Sequence, residues 1–212
     1  MSANQPASPL APGAPDEAGA AAGRHRPMLL LAVAAGLCWA CAVILLLSGE
    51  LGGQKDALAA PRIIFCAIVL LAGLLTFVPA QRQLDLPGLA LQGVGGTFCL
   101  LYALAFVPPP TGWLLSLPDM PVYLILAAAA FWSSSAISMP PIYALGRRVF
   151  RQRARQYDVR RARRQAHEIG ALVALCIGLA GLRVLTLVGV GLLMLILVVA
   201  ELLFLSFVET EI

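Results

Sequence analysis

The chain has 212 residues, of which 60% are hydrophobic and 12% are charged, and its mean hydropathy is +0.86. A soluble domain cannot bury that much apolar surface, so the composition excludes an ordinary soluble globular protein. The net charge is +4, but the positive charge is concentrated in one place, where residues 147–164 contain nine arginines and a single acid, Asp158. We therefore expect an all-α integral membrane protein, a polytopic helical bundle of the cell membrane.

The first 23 residues differ in composition from the rest of the chain. Residues 1–23 are rich in Pro, Ala, Gly and Ser and contain no aromatic residue. Such a segment cannot offset the entropy lost on ordering, so we predict a disordered tail followed by a transmembrane helical bundle over residues 24–212. Arg24, His25 and Arg26 precede an apolar run that is longer than the roughly 7–15 residues of a signal peptide's apolar region. That run predicts an uncleaved membrane anchor.

Long apolar stretches follow one another along the chain. About 20 apolar residues of helix cross the hydrocarbon core of a bilayer, which is roughly 30 Å thick. Prolines mark the expected ends of some stretches, including Pro79 and the run Pro108–Pro110, while Pro140 and Pro141 should kink or end the fourth. The predicted spans are residues 27–47, 63–80, 88–107, 120–146, 166–182 and 184–208.

The number of spans depends on how the last apolar region is divided. A single helix from Ala166 to Val208 would be about twice as long as the bilayer core is thick. We place a break at Gly178–Arg183, which gives six transmembrane helices. The five-span alternative makes Ile169–Leu182 an interfacial helix, because its uncharged part is short for a crossing.

The distribution of basic residues predicts the orientation. Arginines and lysines close to the ends of spans tend to remain in the cytoplasm. If the spans alternate in direction, Arg82 and the Arg-rich segment, residues 147–164, lie on the same side as the N-terminus. The N-terminus and the Arg-rich segment are therefore predicted to be cytoplasmic.

The Arg-rich segment also suggests a partner. Phe150, Ala154 and Tyr157 are spaced as one face of a helix, so the segment could lie on the membrane and contact anionic lipid; the alternative is a solvated loop that only sets topology. Nucleic acid is not expected, because no aromatic stacking platform accompanies the charge. The candidate lipid contacts are Arg147, Arg148, Arg151, Arg153, Arg155, Arg160, Arg161, Arg163 and Arg164.

Small residues recur three or four positions apart within several predicted helices. Such residues share a face of the helix and allow two helix backbones to approach closely. They can pack against helices of the same chain, against partner membrane subunits or within a homo-oligomer. The predicted packing residues are Ala32, Gly36, Ala40, Gly93, Gly96, Gly170, Ala174 and Gly178.

Glu201 is the most costly residue in the predicted bundle, because a charged acid inside a spanning helix is strongly penalised. Its depth along the helix resembles that of Gln92, Ser134, Ser135 and Ser138, so we predict that these five residues line a polar pocket. Glu201 then either carries a proton or a ligand's cationic group, or serves as a hydrogen-bonding acid between helices.

The sequence contains only weak signs of a catalytic motif. Cys38 and Cys41 have the CxxC spacing of thiol oxidoreductases, but they lie in the middle of an apolar span, where a reactive thiolate is disfavoured. The sequence contains no phosphate-binding loop, metal-ligand pair or nucleophile elbow, so we assign no catalytic residue, metal or cofactor. We expect a non-catalytic structural, assembly or accessory subunit of a membrane complex. The alternatives are a small-solute transporter, proton-coupled through Glu201, and a membrane thiol redox protein that uses Cys38 and Cys41.

Overall fold

The chain folds as a series of helices. The computed structural model describes residues 17–49, 51, 59–149 and 159–209, and these ranges contain no strand, which confirms the prediction of an all-helical fold for them. Within the described ranges, four helices are long and apolar enough to cross a membrane, and they are the first four. The helices are α1 (Glu17–Leu47), α2 (Ala60–Leu84), α3 (Leu89–Phe106), α4 (Met120–Val149), α5 (Val159–Gly181) and α6 (Leu187–Glu209).

The first helix begins earlier than the predicted span. Helix α1 starts at Glu17, so residues 17–23 of the predicted disordered tail are helical. Alanine is the strongest helix former, and four of these seven residues are alanine. Residues 1–16, which make up the rest of the predicted tail, lie outside the described residues.

Two helices continue through prolines that were expected to end or kink them. Helix α2 passes Pro79 and runs on to Leu84, four residues beyond the end of the predicted span at Ala80. A proline removes one backbone N–H but leaves the hydrogen bonds of later turns available. The helix ends where Asp85 adopts a left-handed conformation (φ 51°) and donates its N–H to a carbonyl of the last turn. Pro140 and Pro141 also lie inside a helix, α4.

The Arg-rich segment is divided between two helices. Arg147 and Arg148 lie in the last turn of α4, and α5 begins at Val159, seven residues before the start of the predicted span at Ala166. The first two turns of α5 therefore carry four of the nine arginines. The remaining candidate lipid contacts Arg151, Arg153 and Arg155, and the aromatic face of Phe150, Ala154 and Tyr157, lie outside the described residues.

Helices that are consecutive in the chain are also neighbours in space. Helices α1 and α2, α2 and α3, α3 and α4, and α4 and α5 pack against each other, whereas α6 has few contacts with α5. One apolar cluster joins α2, α3, α4 and α5, and a smaller one joins α1 and α2. The larger cluster contains Phe77, Leu86, Leu89, Ala136, Met139, Tyr143, Ala162 and Ala166. The core of the bundle thus lies among the middle four helices.

Two hydrogen bonds show which helix ends lie together. The N–H of Leu114, in the α3–α4 connection, donates to the carbonyl of Gly181 at the end of α5 (2.9 Å). At the other end of the bundle, Arg163 Nη2 donates to the carbonyl of Pro87 in the α2–α3 turn (2.6 Å). Helices α3, α4 and α5 therefore alternate in direction, which is the arrangement that the predicted orientation requires.

Candidate functional site

The break between α5 and α6 creates the site. Helix α5 ends at Gly181, Arg183 adopts a left-handed conformation (φ 59°), and α6 begins at Leu187, which confirms the break expected at Gly178–Arg183. Thr186 caps the new helix, because its Oγ1 accepts the N–H of Gly189 (3.0 Å). The chain reverses here, so the last turns of α6 return to the level of the first turns of α5.

Arg164 lies between two carboxylates, one from each of these helices. Its Nη2 donates to Glu201 Oε1 of α6 at 2.5 Å, and its Nε lies 3.8 Å from Glu168 Oε1, one turn further along α5. The Arg164 and Glu201 side chains are 31% and 15% exposed. We call Arg164, Glu168 and Glu201 the Arg164 cluster. With both acids ionised the cluster carries one net negative charge, because one guanidinium compensates one carboxylate.

The two acids line a pocket of about 370 Å³ between α4, α5 and α6. Gln165 supplies a third polar group, and the other walls are apolar. Charges attract and repel more strongly in such surroundings than in water, and two adjacent carboxylates resist being ionised together. The arrangement can therefore hold a proton or a cationic group. The apolar lining residues are Ile142, Ile169, Leu172, Met194, Leu197, Val198 and Leu202.

The structure does not bring the predicted polar partners to this pocket. Ser134 and Ser138 each donate to a carbonyl one turn earlier in their own helix, at 2.5 Å. Ser135 is buried at the α4–α5 contact, and Gln92 is half-buried on α3. None of these four residues lines the Glu201 pocket. The nearest polar partners of Glu201 come from α5 instead.

The sequence predicts that Arg164 contacts lipid as part of the Arg-rich segment, whereas in the structure it contacts Glu201. Two signals could have identified its partners. Arg164 and Glu168 are four residues apart, so they are neighbours on one helix face. Arg164 and Glu201 are also almost equally distant from the break at Arg183, which places them opposite each other once the chain reverses.

Three of the predicted packing glycines lie at tight helix contacts. A Cβ on Gly93 would overlap the Phe77 ring of α2, and a Cβ on Gly96 would lie 2.7 Å from the Ser133 backbone nitrogen of α4. A Cβ on Gly170 would lie 2.7 Å from the Phe131 carbonyl oxygen, also in α4. Each contact is shorter than real Cβ atoms allow. These glycines therefore set the α2–α3, α3–α4 and α4–α5 distances.

The other predicted packing residues have open surroundings. A Cβ on Gly36 or Gly178 would meet no atom within 4 Å. Ala32 and Ala40 are exposed and Ala174 is half-buried. The buried alanines of α1 are Ala35 and Ala42, on a neighbouring face. The small residues of α1 predicted to pack thus leave a surface uncovered within the chain.

The cysteines and potential metal ligands add no further centre among the described residues. Cys38 is half-buried and Cys41 is exposed, both in α1, and neither forms a disulfide there. No group of three or more His, Cys, Asp or Glu side chains with metal-binding geometry occurs in the described ranges. Comparison of the chain with protein-family models, with curated proteins and with solved structures found no match.

Proposed function

We propose that this chain is a multi-pass protein of the cell membrane that serves as a non-catalytic subunit of a membrane complex, in a structural, assembly or accessory role. The observation that carries this proposal is the uncovered surface of α6. None of residues 187–203 is buried, and Leu187, Val188 and Ile196 are 91%, 72% and 62% exposed. Helix α6 is thus the element best placed to receive a helix from another subunit.

The way α6 is held supports the same proposal. At one end it is tied to α5 by the short turn before Leu187, and towards the other end by the Arg164–Glu201 ion pair. Between these points α6 has few contacts with the bundle. Lipid chains are as apolar as leucine side chains, so helices associate in membranes through close packing and polar contacts rather than through the hydrophobic effect. A partner helix would supply the packing that the chain itself does not give α6.

The proposed topology has six membrane crossings, with α5 and α6 as the last two. The alternation of the helix ends supports a shared cytoplasmic side for the N-terminus, the α2–α3 turn and the Arg-rich segment. On that side the exposed Arg148 and Arg160 are placed to contact anionic lipid headgroups.

Photo-crosslinking tests the subunit proposal. A photoreactive amino acid at Ile196 of α6 should give a discrete adduct with a second polypeptide in native membranes. The same residue at Leu71, an exposed position of α2, should give lipid adducts and no discrete protein adduct. A chain that purifies alone from mild detergent, with no protein adduct at Ile196, would contradict the proposal. An adduct at twice the chain's mass would identify the partner as a second copy.

A second candidate function is proton-coupled transport of a small solute, and the Arg164 cluster favours it. Glu168 and Glu201 share one arginine and line the same pocket, so a proton could bind and leave there. Proteoliposomes containing a trapped pH-sensitive dye test it directly. If the chain is such a transporter, protons should flow through it and dissipate an imposed pH gradient, either together with the solute or without it. Glu201→Gln should abolish this proton flux, because an amide cannot titrate near neutral pH. Equal flux in the variant would eliminate proton coupling through Glu201.

A further inference from the structure

The first four helices surround a cavity that shares part of its wall with a groove between α1 and α2. The cavity has a volume of about 500 Å³ and is lined by residues of all four helices. Trp39, Thr76 and Ala80 line both this cavity and a neighbouring one of about 420 Å³ between α1 and α2. These three residues form a wall that the two spaces share. We call the combined space the α1–α2 groove.

Three of the polar side chains that line the groove are already hydrogen-bonded within the protein. Trp39 Nε1 donates to Thr76 Oγ1 (3.0 Å), and Thr76 Oγ1 donates to the carbonyl of Ala72 (2.8 Å). Thr97 Oγ1 donates to the carbonyl of Gly93 (2.6 Å). These three side chains thus use their donors internally. The wall suits an occupant that needs no hydrogen bonds, such as a hydrocarbon chain.

The mouth of the groove carries an exposed arginine. The groove reaches Met28 and Gln83, and an adjoining pocket of about 450 Å³ shares both residues and adds the exposed Arg82. The guanidinium of Arg82 is therefore placed to pair with the phosphate of an anionic headgroup.

The length of the groove matches one leaflet of a bilayer. Met28, at the mouth, and Trp39, on the wall that the two cavities share, are eleven residues apart in α1, which corresponds to about 16 Å of helix. The hydrocarbon core is roughly 30 Å thick, so each leaflet contributes about half of that. A lipid with its headgroup at the mouth would therefore place the end of its chain near Trp39.

We propose that the α1–α2 groove binds one anionic phospholipid of the surrounding bilayer, with its phosphate beside Arg82 and an acyl chain extending to Trp39. The proposal rests on the membrane location proposed above. It is distinct from lipid contact by the Arg-rich segment, because the groove is lined by α1 and α2 at the mouth and by no residue of α5. The lipid would fill the space between α1 and the rest of the bundle.

Quenching of Trp39 fluorescence by brominated lipids tests the proposal. In the full chain carrying Trp113→Phe and Trp132→Phe, Trp39 is the one remaining tryptophan. In phosphatidylcholine vesicles, brominated phosphatidylglycerol should quench Trp39 at about fivefold lower mole fraction than brominated phosphatidylcholine. A preference of this size is expected when one basic residue contacts the anionic headgroup. Arg82→Gln should remove this preference, and the matched change Arg148→Gln, in the last turn of α4, should keep it.

A second pair of variants tests the groove itself. Ala80→Leu adds bulk to the wall that the two cavities share and should reduce quenching by phosphatidylglycerol, whereas Ala67→Leu, at an exposed position of the same helix, should not. Equal quenching by the two lipids, or a preference that survives Arg82→Gln or Ala80→Leu, would overturn the proposal. A variant that keeps only the exposed Trp132 should be quenched equally by both lipids. Absence of that quenching would refute the membrane location instead.

Discussion

Gly170→Leu is expected to lower the melting temperature in mild detergent by about 6–12 °C, whereas Gly178→Leu, on the same helix, should change it little. At Gly170 even a Cβ would lie 2.7 Å from the Phe131 carbonyl oxygen, and the Ser135 hydroxyl lies closer still. The neighbouring atom is backbone, so α4 and α5 must move apart. Overpacking typically costs about 1–3 kcal/mol, and a forced separation of helices belongs at the upper end.

The pair of variants controls for general effects of adding a leucine. Gly178 lies eight residues further along α5, where a Cβ would meet no atom within 4 Å. Both substitutions replace a glycine within a helix, so both gain the same helix propensity. Melting of the purified proteins can be followed by the loss of monodisperse protein on heating. Equal melting temperatures for the two variants would contradict the close α4–α5 contact at Gly170.

Removal of Arg164 is expected to be more damaging than removal of both Arg164 and Glu201. In Arg164→Leu the largely buried Glu201 carboxylate loses its ion-pair partner, and loss of one member of a buried pair costs about 3–5 kcal/mol. Because the Arg164 side chain is 31% exposed, the loss of stability should lie near the lower end of this range. In the double variant with Glu201→Leu that carboxylate is also gone, so much of the stability should return.

A double-mutant cycle measures this interaction. The melting temperatures of the two single variants and the double variant should give a coupling energy above about 1 kcal/mol, as expected for residues in direct contact. Arg160→Leu is the matched control, because Arg160 is exposed one turn earlier in α5. Additive effects of the two substitutions, or an equal effect of Arg160→Leu, would show that the ion pair does not hold α6.

The helices were largely predictable because apolar length and polar breaks are properties of the sequence itself. The break at Gly178–Arg183 followed from the length of the apolar region alone. The end of α2 was not predictable in the same way, since Pro79 removes one hydrogen bond but the following residues still form helix as far as Asp85. The ends of helices depend on local backbone conformation, which residue type indicates only weakly.

The site was predicted in part. The cost of a buried acid identified Glu201 as exceptional, but depth along a helix does not specify which face of the helix a side chain occupies. Ser134 and Ser138 have a similar depth and bond to their own helix instead. The glycine pattern had the same weakness, because Gly170 and Gly178 share a predicted stripe and only Gly170 touches α4. Contacts between helices depend on how each helix is rotated about its own axis, and the spacing of residues within one helix does not determine that rotation.

Accessibility of single cysteines in intact cells tests the six-crossing topology most directly. After the five native cysteines are replaced, a probe cysteine at Lys55, between α1 and α2, should react with a membrane-impermeant reagent. Probe cysteines at Gln152, in the Arg-rich segment, and at Thr210, after α6, should react only when the membrane is permeabilised. Labelling of Thr210 but not of Gln152 in intact cells would contradict six crossings, and labelling of Gln152 but not of Lys55 would contradict the orientation.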